Sequence, residues 1–374
     1  MKPTTLFISN SIYFDETKNE GGVTRCTREY LALLKTIFNV VLFPVHYHTT
    51  ILYRVRVKLG LNVYNDYHPA DYKKELMLAI RENNVNIVFL NLSNTASIAA
   101  MIKEEFNGKV KVILCSHGNE SGDFLHEATR FQKKVPFYRS FFSSWTLGSM
   151  LKKEAGYRQK YIDGILTVSP VEEALEKWIG AKNVLMIPRT ISPEPIDWKP
   201  VPGRIGFMGD LSHWPNYFGV EEVCKALSNS PGKGIELRLV GSPENLGLKL
   251  AKTYSFVKYR GYLNKTELEA EASAWSFFLN PVFYYSRGVS TKLAKALGWG
   301  LPVITASIGC RGYSWKKGNP VFAESPEETA RKINEYAPDI NLINESAKEI
   351  KELVGSSPSL ESISHDLQDF LRGI

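Results

Sequence analysis

The sequence predicts an α/β protein of two domains, each built on a parallel sheet covered by helices on both faces. Three observations predict it. Short apolar runs alternate with helical patterns through the first half, the same rhythm restarts after residue 200, and a stretch with five prolines separates the two series. Buried strands alternating with helices mark parallel sheets with both faces occupied. A chain of 374 residues, 44% hydrophobic and 23% charged, is long enough to bury two cores.

In the first half the apolar runs lie at 4–8, 39–45, 85–90, 111–115 and 165–168, with helical patterns over 23–37, 70–82 and 95–105. The connector IPRTISPEPIDWKPVPG, 187–203, interrupts both helix and ladder and reads as a stiff extended link. In the second half strands are expected at 204–208, 235–240, 256–259, 275–279 and 302–305. Helices are expected near 217–228, 265–273, 289–298 and 326–335. The expected division is therefore 1–187, a linker at 188–203, a second domain at 204–355 and a closing helix within 356–374. That helix either packs on the second domain or crosses back to the first. The space between two such domains is the default ligand site.

The formal charge of +7 suggests anionic partners without choosing among nucleic acid, phospholipid and nucleotide. Residues 130–160 hold eight Lys or Arg against one Glu, interleaved with Phe137, Tyr138, Phe141, Phe142, Trp145 and Leu147. Such a segment either lies on an anionic membrane or packs on its own domain with a solvated basic face. Residues 321–374 run the other way, with eleven acids against five bases. No run has the roughly 18 apolar residues of a membrane span. The start, MKPTTLFISNSIYFDE, is too polar after Ile8 for a signal peptide and reads as a first strand. Cys26, Cys115, Cys224 and Cys310 show no pairing frame, as expected of reduced, buried thiols in a cytoplasmic protein.

Several stretches could carry chemistry. In NEGGVTRC, Gly21 and Gly22 precede a helical pattern, where paired glycines admit a ligand to the backbone and helix N–H groups attract an anion. A plain tight turn explains the pair as well. In VILCSHGNESG a buried strand ends in polar residues, where α/β sheets place their ligands, so His117 and Glu120 are candidates for the site. His117 could hydrogen-bond a sugar hydroxyl or take a proton; the alternative is a loop histidine serving as a cap. In RIGFMGDLSHWPN, Gly209 and His213 repeat the strand, glycine and polar loop of the first half. In FVKYRGYLNKTEL, the backbone of Gly261, Tyr262 and Leu263 could receive a base or ribose. In SRGVSTKLAKALGWGLPVI, Ser290 is the expected N-cap, followed by Thr291 and Lys292. Lysine in a first turn opposes the helix dipole, so an anion there would offset it. A diphosphate held by Lys292, Arg287 and the helix amides suits that arrangement, with Gly288 in the approach loop.

Taken in order, the GG loop, CSHGNES, IGFMGDLSHWPN and GVSTKLAKALGWGLPVI followed by IGCRGY resemble the GT-B nucleotide-sugar glycosyltransferases, specifically the retaining group called family 4. The last piece is similar to the pattern G-x-x-x-K-x-x-E-A-x-x-x-G-x-P-V-V. The resemblance implies two Rossmann-like domains facing each other across a cleft, with an acceptor-binding first half and a nucleotide-sugar-binding second half. It implies that Gly21 and Gly22 lie by the donor phosphates and that His117 touches the transferred sugar. It also implies that Lys292 binds phosphate and that the Gly261 region receives the base. Many members carry two glutamates eight residues apart, and counting back from Gly300 and Pro302 puts those positions at Arg287 and Lys295. Both are basic here. Lys295 cannot accept hydrogen bonds from ribose hydroxyls as a carboxylate does, so Glu324 is the nominee for that task.

The resemblance implies transfer of a sugar from a nucleotide diphosphate to a hydroxyl of a saccharide or lipid-linked acceptor, with retention, in cell-envelope or exopolysaccharide synthesis. Orientation and neutralisation of the leaving phosphate would carry the rate. No DxD motif is present, and no obligatory metal or cofactor is expected. For an inverting course the available bases are Asp15, Glu16, His117 and Glu120. The rival readings are a non-catalytic carbohydrate-binding or scaffold subunit, favoured by the two missing glutamates, and a nucleotide-sugar 2-epimerase. Nucleic acid is not an expected partner, because no zinc-finger or RNP pattern occurs. The expected location is cytoplasmic, at the inner face of the membrane if residues 130–160 touch it.

Overall fold

The computed structural model describes residues 2–14, 22–47, 49–58, 67–130, 137–230, 232–285 and 287–374. The chain forms two compact units. Unit 1 is Met1–Pro188 with Arg287, Gly288 and Ser359–Ile374; unit 2 is Arg189–Tyr285 and Val289–Pro358.

Unit 1 runs β1 (Thr4–Asn10), α1 (Gly22–Ile37), β2 (Asn39–Val45), α2 (Ile51–Lys58), α3 (Lys73–Glu82), β3 (Ile87–Asn91), α4 (Ser97–Glu105) and β4 (Lys111–Cys115). It continues with α5 (Glu120–Arg130), α6 (Phe137–Lys160), β5 (Gly164–Thr167), α7 (Pro170–Trp178) and β6 (Val184–Met186). The sheet is parallel, in the order β2-β1-β3-β4-β5-β6. Leu6, Phe7 and Ile8 are all fully buried, so both faces of β1 are covered. Each such side chain contributes roughly 1.5–3 kcal/mol by leaving water. α1 forms because Cys26, Tyr30, Leu33 and Leu34 fall on one face at helical spacing and are buried there. α7 starts where Ser169 accepts the N–H of Glu172 and Pro170 fills the first turn.

Unit 2 runs β7 (Arg204–Met208), α8 (Trp214–Asn229), β8 (Glu236–Val240), α9 (Glu244–Thr253), β9 (Val257–Gly261), α10 (Lys265–Ala272) and β10 (Phe277–Asn280). Then follow α11 (Thr291–Gly298), β11 (Val303–Thr305), β12 (Val321–Phe322), α12 (Pro326–Tyr336) and α13 (Ile340–Ser356). Its parallel sheet has the order β12-β11-β10-β7-β8-β9. Gly206 on β7 makes room for fully buried Trp275, since a Cβ there would lie 1.8 Å from the indole. The last helix, α14 (Leu360–Arg372), returns to unit 1 and packs on α1, where Ser364 shares a 2.7 Å hydrogen bond with Thr36.

The structure adds features that the sequence reading did not carry. The extended stretch 189–203 is laid on unit 2 as a strap. The N–H groups of Lys199 and Val201 donate to Ser273 and Ala274, and the Trp198 indole donates to the Trp275 carbonyl at 2.7 Å. Ile191, Ile196 and Trp198 give the strap its apolar anchor. Strands β6 and β12 are too short to show in an apolar pattern. The basic run 130–160 is partly turned inward, because Arg158 is fully buried on Glu176. Residues 131–136, and the side chains of Phe137 and Tyr138, lie outside what is described. All four cysteines are buried and free of disulfides.

Candidate functional site

In an open parallel sheet the crevice for a ligand opens beyond the strand ends where the strand order reverses. In unit 2 this point lies between β7 and β10. Asn280, the last residue of β10, is fully buried there. Its amide nitrogen donates to Thr305 Oγ1 at 3.0 Å and to the Gly309 carbonyl at 3.2 Å. Those two bonds fix its orientation, leaving Oδ1 to accept the hydroxyl of Ser290 at 3.0 Å. Ser290 therefore occupies the N-cap position of α11, but its hydroxyl is turned to the strand and does not cap. Tyr313 braces the same turn, donating to the Ser290 carbonyl and accepting the Ala294 N–H at 3.1 Å.

This holds Lys292 at the start of α11, with its ammonium donating to Asn216 Oδ1 on α8 and 5.3 Å from the Phe207 ring centroid. Burial first, and the charge of Arg311 second, together draw the Lys292 pKa down to about 7. Arg311 is 8% exposed, donates from Nη1 to the Ile308 carbonyl at 2.8 Å and lies 5.6 Å from the Tyr285 ring. Two cations and the first turn of a helix thus share one crevice, a natural cradle for an anion. Sequence reasoning named Lys292 and missed Arg311, although IGCRGY was in view.

In unit 1 the order reverses between β1 and β3. Asn91, the last residue of β3, is fully buried and its amide nitrogen donates to Ser9 Oγ at 2.8 Å and Thr27 Oγ1 at 2.9 Å. Its Oδ1 then faces His117 Nε2 at 2.8 Å, so that ring nitrogen is the donor. Beside it, Arg287 pairs with Glu120 and, at 3.2 Å, with Asp123, while its own N–H donates to Asp123 Oδ1. The Gly288 N–H donates to buried Glu172 at 3.2 Å. Gly118, at φ +107°, admits Arg287: a Cβ would lie 2.4 Å from Arg287 Cγ. Beneath this edge, Arg158 and Glu176 form a fully buried pair at 2.8 Å, with Ser93 and Ser116 taking part. Glu154 accepts the Ser121 hydroxyl and the Glu120 N–H, holding the start of α5. Burial raises the Glu154 pKa, against the opposing pull of Arg158 and Ser121.

The structure thus brings His117, Glu120, Arg287 and Gly288 together in unit 1. Arg287, expected on a diphosphate with Lys292, is paired with the carboxylates of Glu120 and Asp123. Gly22 opens α1, exposed; Gly21, Asp15 and Glu16 lie outside the described residues. In unit 2, Gly209 is closely backed by Phe207, Asn216 and Gly241. His213 precedes α8, exposed, and Thr291 is half-buried. Gly261 ends β9 at φ +75°, Tyr262 is 80% exposed, and Leu263 leans on the core. Lys295 stands over the Trp299 ring at 5.0 Å. Glu324 is exposed and accepts the N–H and hydroxyl of Ser307. Among the described residues no group of three or more His, Cys, Asp or Glu is placed to hold a metal. No described helix is long and apolar enough to cross a membrane.

Residues 202–339, nearly all of them in unit 2, match the family model described as Glycosyl transferases group 1. By sequence, no curated protein matches the chain. By structure, it is similar over 100% of both chains to Anabaena HepE in complex with UDP and glucose, with TM-score 0.63 and 12% identity. It is similar to the sucrose-phosphate synthase of Thermosynechococcus elongatus over 100% of this chain and 99% of that one, with TM-score 0.62 and 15% identity. It is also similar to the lipopolysaccharide outer core galactosyltransferase WaaB, over 99% of each chain, with TM-score 0.63 and 11% identity. These likenesses spread over differently named proteins and do not single out one retaining group. What they share with this chain is the fold: two separate Rossmann-like domains of the GT-B kind.

Proposed function

We propose that this protein is a nucleotide-sugar-dependent glycosyltransferase, with the donor held by unit 2 and the acceptor by unit 1. The observation that carries the reading is Lys292 at the switch point of unit 2, a half-buried cation beside Arg311 at the start of α11. A donor diphosphate is an anion that fits this place, at the start of a helix and beside two cationic side chains. Structural relatives are captured with UDP and glucose and with UDP-glucose, which supports a diphosphate sugar as donor.

In the reaction, the bond from the sugar to the β-phosphate oxygen breaks and a bond to the acceptor oxygen forms. The acceptor proton leaves with the diphosphate, whose charge Lys292, Arg311 and the α11 amides offset. His117, held by its Nε2 contact with Asn91 at the end of β3, is assigned to the transferred sugar. Glu120 is engaged by Arg287, so its carboxylate is held away from the task of receiving the acceptor proton. That favours retention over an inverting course led by Glu120. Gly261, Tyr262 and Leu263 are assigned to the base, and Glu324 to the ribose. The acceptor is a saccharide, free or lipid-linked, in cell-envelope or exopolysaccharide synthesis. Exposed Phe141, Phe142 and Trp145 on α6 give a peripheral contact with anionic membrane at its cytoplasmic face.

Calorimetry with a panel of nucleoside diphosphates and nucleotide sugars tests the reading, on wild type and Lys292→Ala. One nucleotide should bind, and its affinity should fall by about tenfold or more in the variant, near 1.4 kcal/mol per decade. If no nucleotide binds, the transferase reading fails and a non-catalytic subunit takes its place.

A further inference from the structure

Residues 30–65 carry no Asp or Glu and hold Lys35, Arg54, Arg56 and Lys58. Within them lies α2, ILYRVRVK, a helix that neither the His117 network nor the Lys292 cradle uses. Thr50 starts it: its hydroxyl oxygen accepts the Tyr53 N–H at 3.1 Å, and its carbonyl accepts the Arg54 N–H at 3.1 Å. α2 follows β2, the outermost strand of its sheet, and so stands at the margin of unit 1.

Its aliphatic side chains point away from the core. Ile51 is 83% exposed, Leu52 67% and Val55 46%, whereas Tyr53 is half-buried. At about 100° per residue, Ile51, Val55 and Leu52 fall within an arc of about 100°. Arg54 and Lys58, both exposed, fall side by side on the flank of that arc. Single exposed apolar residues are ordinary on a protein surface. Three on one stripe, edged by cations and with no acid in the surrounding sequence, are an uncovered face that needs an occupant.

Charge and size select that occupant. A second copy of this face would set cations against cations. Three aliphatic side chains on about two turns of helix fall well short of the roughly 800 Å² per side of a stable protein interface. Aliphatic tips beside cationic heads do match the layers of an anionic bilayer, where acyl chains lie just beneath phosphate. Long Arg and Lys stems can lie along the apolar layer while their charges stay at the head groups. We infer that α2 lies in the head-group region of an anionic lipid bilayer, with Ile51, Leu52 and Val55 in the acyl boundary and Arg54 and Lys58 on lipid phosphates. The inference extends the membrane contact proposed for α6 by a second face, carried by different residues, and depends neither on α6 nor on donor binding. Both helices belong to unit 1, and two weak contacts with one surface multiply, so that loss of either weakens binding steeply.

A nitrobenzoxadiazole dye on Ile51→Cys reads the contact directly, because all four native cysteines are buried and the new thiol reacts alone. With vesicles of phosphatidylglycerol and phosphatidylcholine the dye should brighten and shift to the blue. With phosphatidylcholine alone, about tenfold more lipid or above should be needed for the same response. Cosedimentation of the unlabelled chain gives the affinities. Ile51→Ser with Leu52→Ser should lower affinity by about tenfold or more. Arg54→Gln and Lys58→Gln should each lower it about fivefold, the equivalent of about 1 kcal/mol per cation. Since these side chains stand in water, the thermal midpoint and UDP binding should match wild type in every variant. When Phe141, Phe142 and Trp145 are serine, the dye should still respond at raised lipid. A dye that reads as in water while the chain cosediments overturns the inference and gives the membrane to α6. Unchanged vesicle binding by the Ile51→Ser, Leu52→Ser variant overturns it as well, and the face then belongs to a protein partner. So does a wild type that binds no vesicles. A wild type that binds vesicles through α2 but takes no nucleotide fails the transferase reading and leaves this face standing.

Discussion

Asn91 and Asn280 hold equivalent positions in the two units: each ends the strand beside the reversal of its sheet, and each is fully buried. Each spends its amide nitrogen on two protein oxygens and presents its Oδ1 to one residue of the crevice, His117 in one case and Ser290 in the other. The two orienting bonds make the third direction obligatory, so a strand-end asparagine serves as a rigid fixture for a site residue.

Asn91→Leu should therefore strip partners from Ser9, Thr27 and His117 together and cost at least about 2 kcal/mol in urea unfolding. Asn91→Asp should cost less, since both hydroxyls can turn to donate. It would also set a negative charge against Nε2, raising the His117 pKa above its wild-type value. A histidine NMR titration checks the sign. An unchanged His117 curve in Asn91→Asp would show that the 2.8 Å contact does not govern the imidazole.

Lys292 gives a pH signature. Its pKa is drawn down to about 7, so above that pH the unliganded side chain is mostly neutral. A bound diphosphate favours the ammonium and raises the pKa. Binding at pH 8 should then take up close to one proton, seen as a dependence of the calorimetric enthalpy on buffer ionisation. Affinity should fall about tenfold per pH unit above 7 until the liganded pKa is reached. Stability carries the complementary sign. A lysine with a depressed folded pKa destabilises the fold fully below that pKa, and the penalty fades as pH rises towards its ordinary value. Lys292→Met should thus gain more stability over wild type at pH 6 than at pH 10.

Gly118 and Arg287 form a close steric pair in unit 1. With φ at +107°, and with only 2.4 Å between Arg287 Cγ and the place a Cβ would take, Gly118→Ala suffers both backbone strain and collision. A loss of about 1–3 kcal/mol is expected. Arg287→Ala removes the collision and leaves the strain. The double variant should consequently be more stable than the sum of the single effects, with a coupling of about 0.5–3 kcal/mol. Additive effects would mean that Arg287 moves aside freely and that its pairing with Glu120 and Asp123 is loose.

All the strands but β6 and β12 were legible because buried parallel strands are continuous apolar runs, and β2, β4 and β7 match the expected bounds residue for residue. Lys292 was legible because a cation in a first helical turn conflicts with the dipole. Arg311 was not, because its place beside Lys292 is made by the turn after β11, and no local pattern encodes that proximity. The asparagine fixtures left a trace that went unused: Phe-Leu-Asn occurs at 89–91 and again at 278–280, each asparagine directly following an expected strand with a residue that strands disfavour. The basic run misled at Arg158, since composition cannot show which arginine turns inward to meet Glu176.

The same segment keeps an outward apolar face, and it bears on the proposed membrane contact. Phe141 is 59% exposed, Phe142 43% and Trp145 61%, and Leu125 on the neighbouring α5 is 43% exposed. Phe141 and Phe142 meet edge to face at 5.8 Å, so they present one surface. Lys152 and Lys160 are exposed further along α6. Rings that enter the interface and cations that meet head groups act together on anionic bilayers, each Lys or Arg near the surface adding about 1 kcal/mol. Replacing Phe141, Phe142 and Trp145 together with serine should release the protein from vesicles containing phosphatidylglycerol. Nucleotide affinity should not change, because these residues lie in unit 1. Cosedimentation of wild type should also weaken as salt screens the charges. Equal binding of the triple variant and wild type would remove the membrane contact from the proposal and leave a soluble saccharide as the acceptor to pursue.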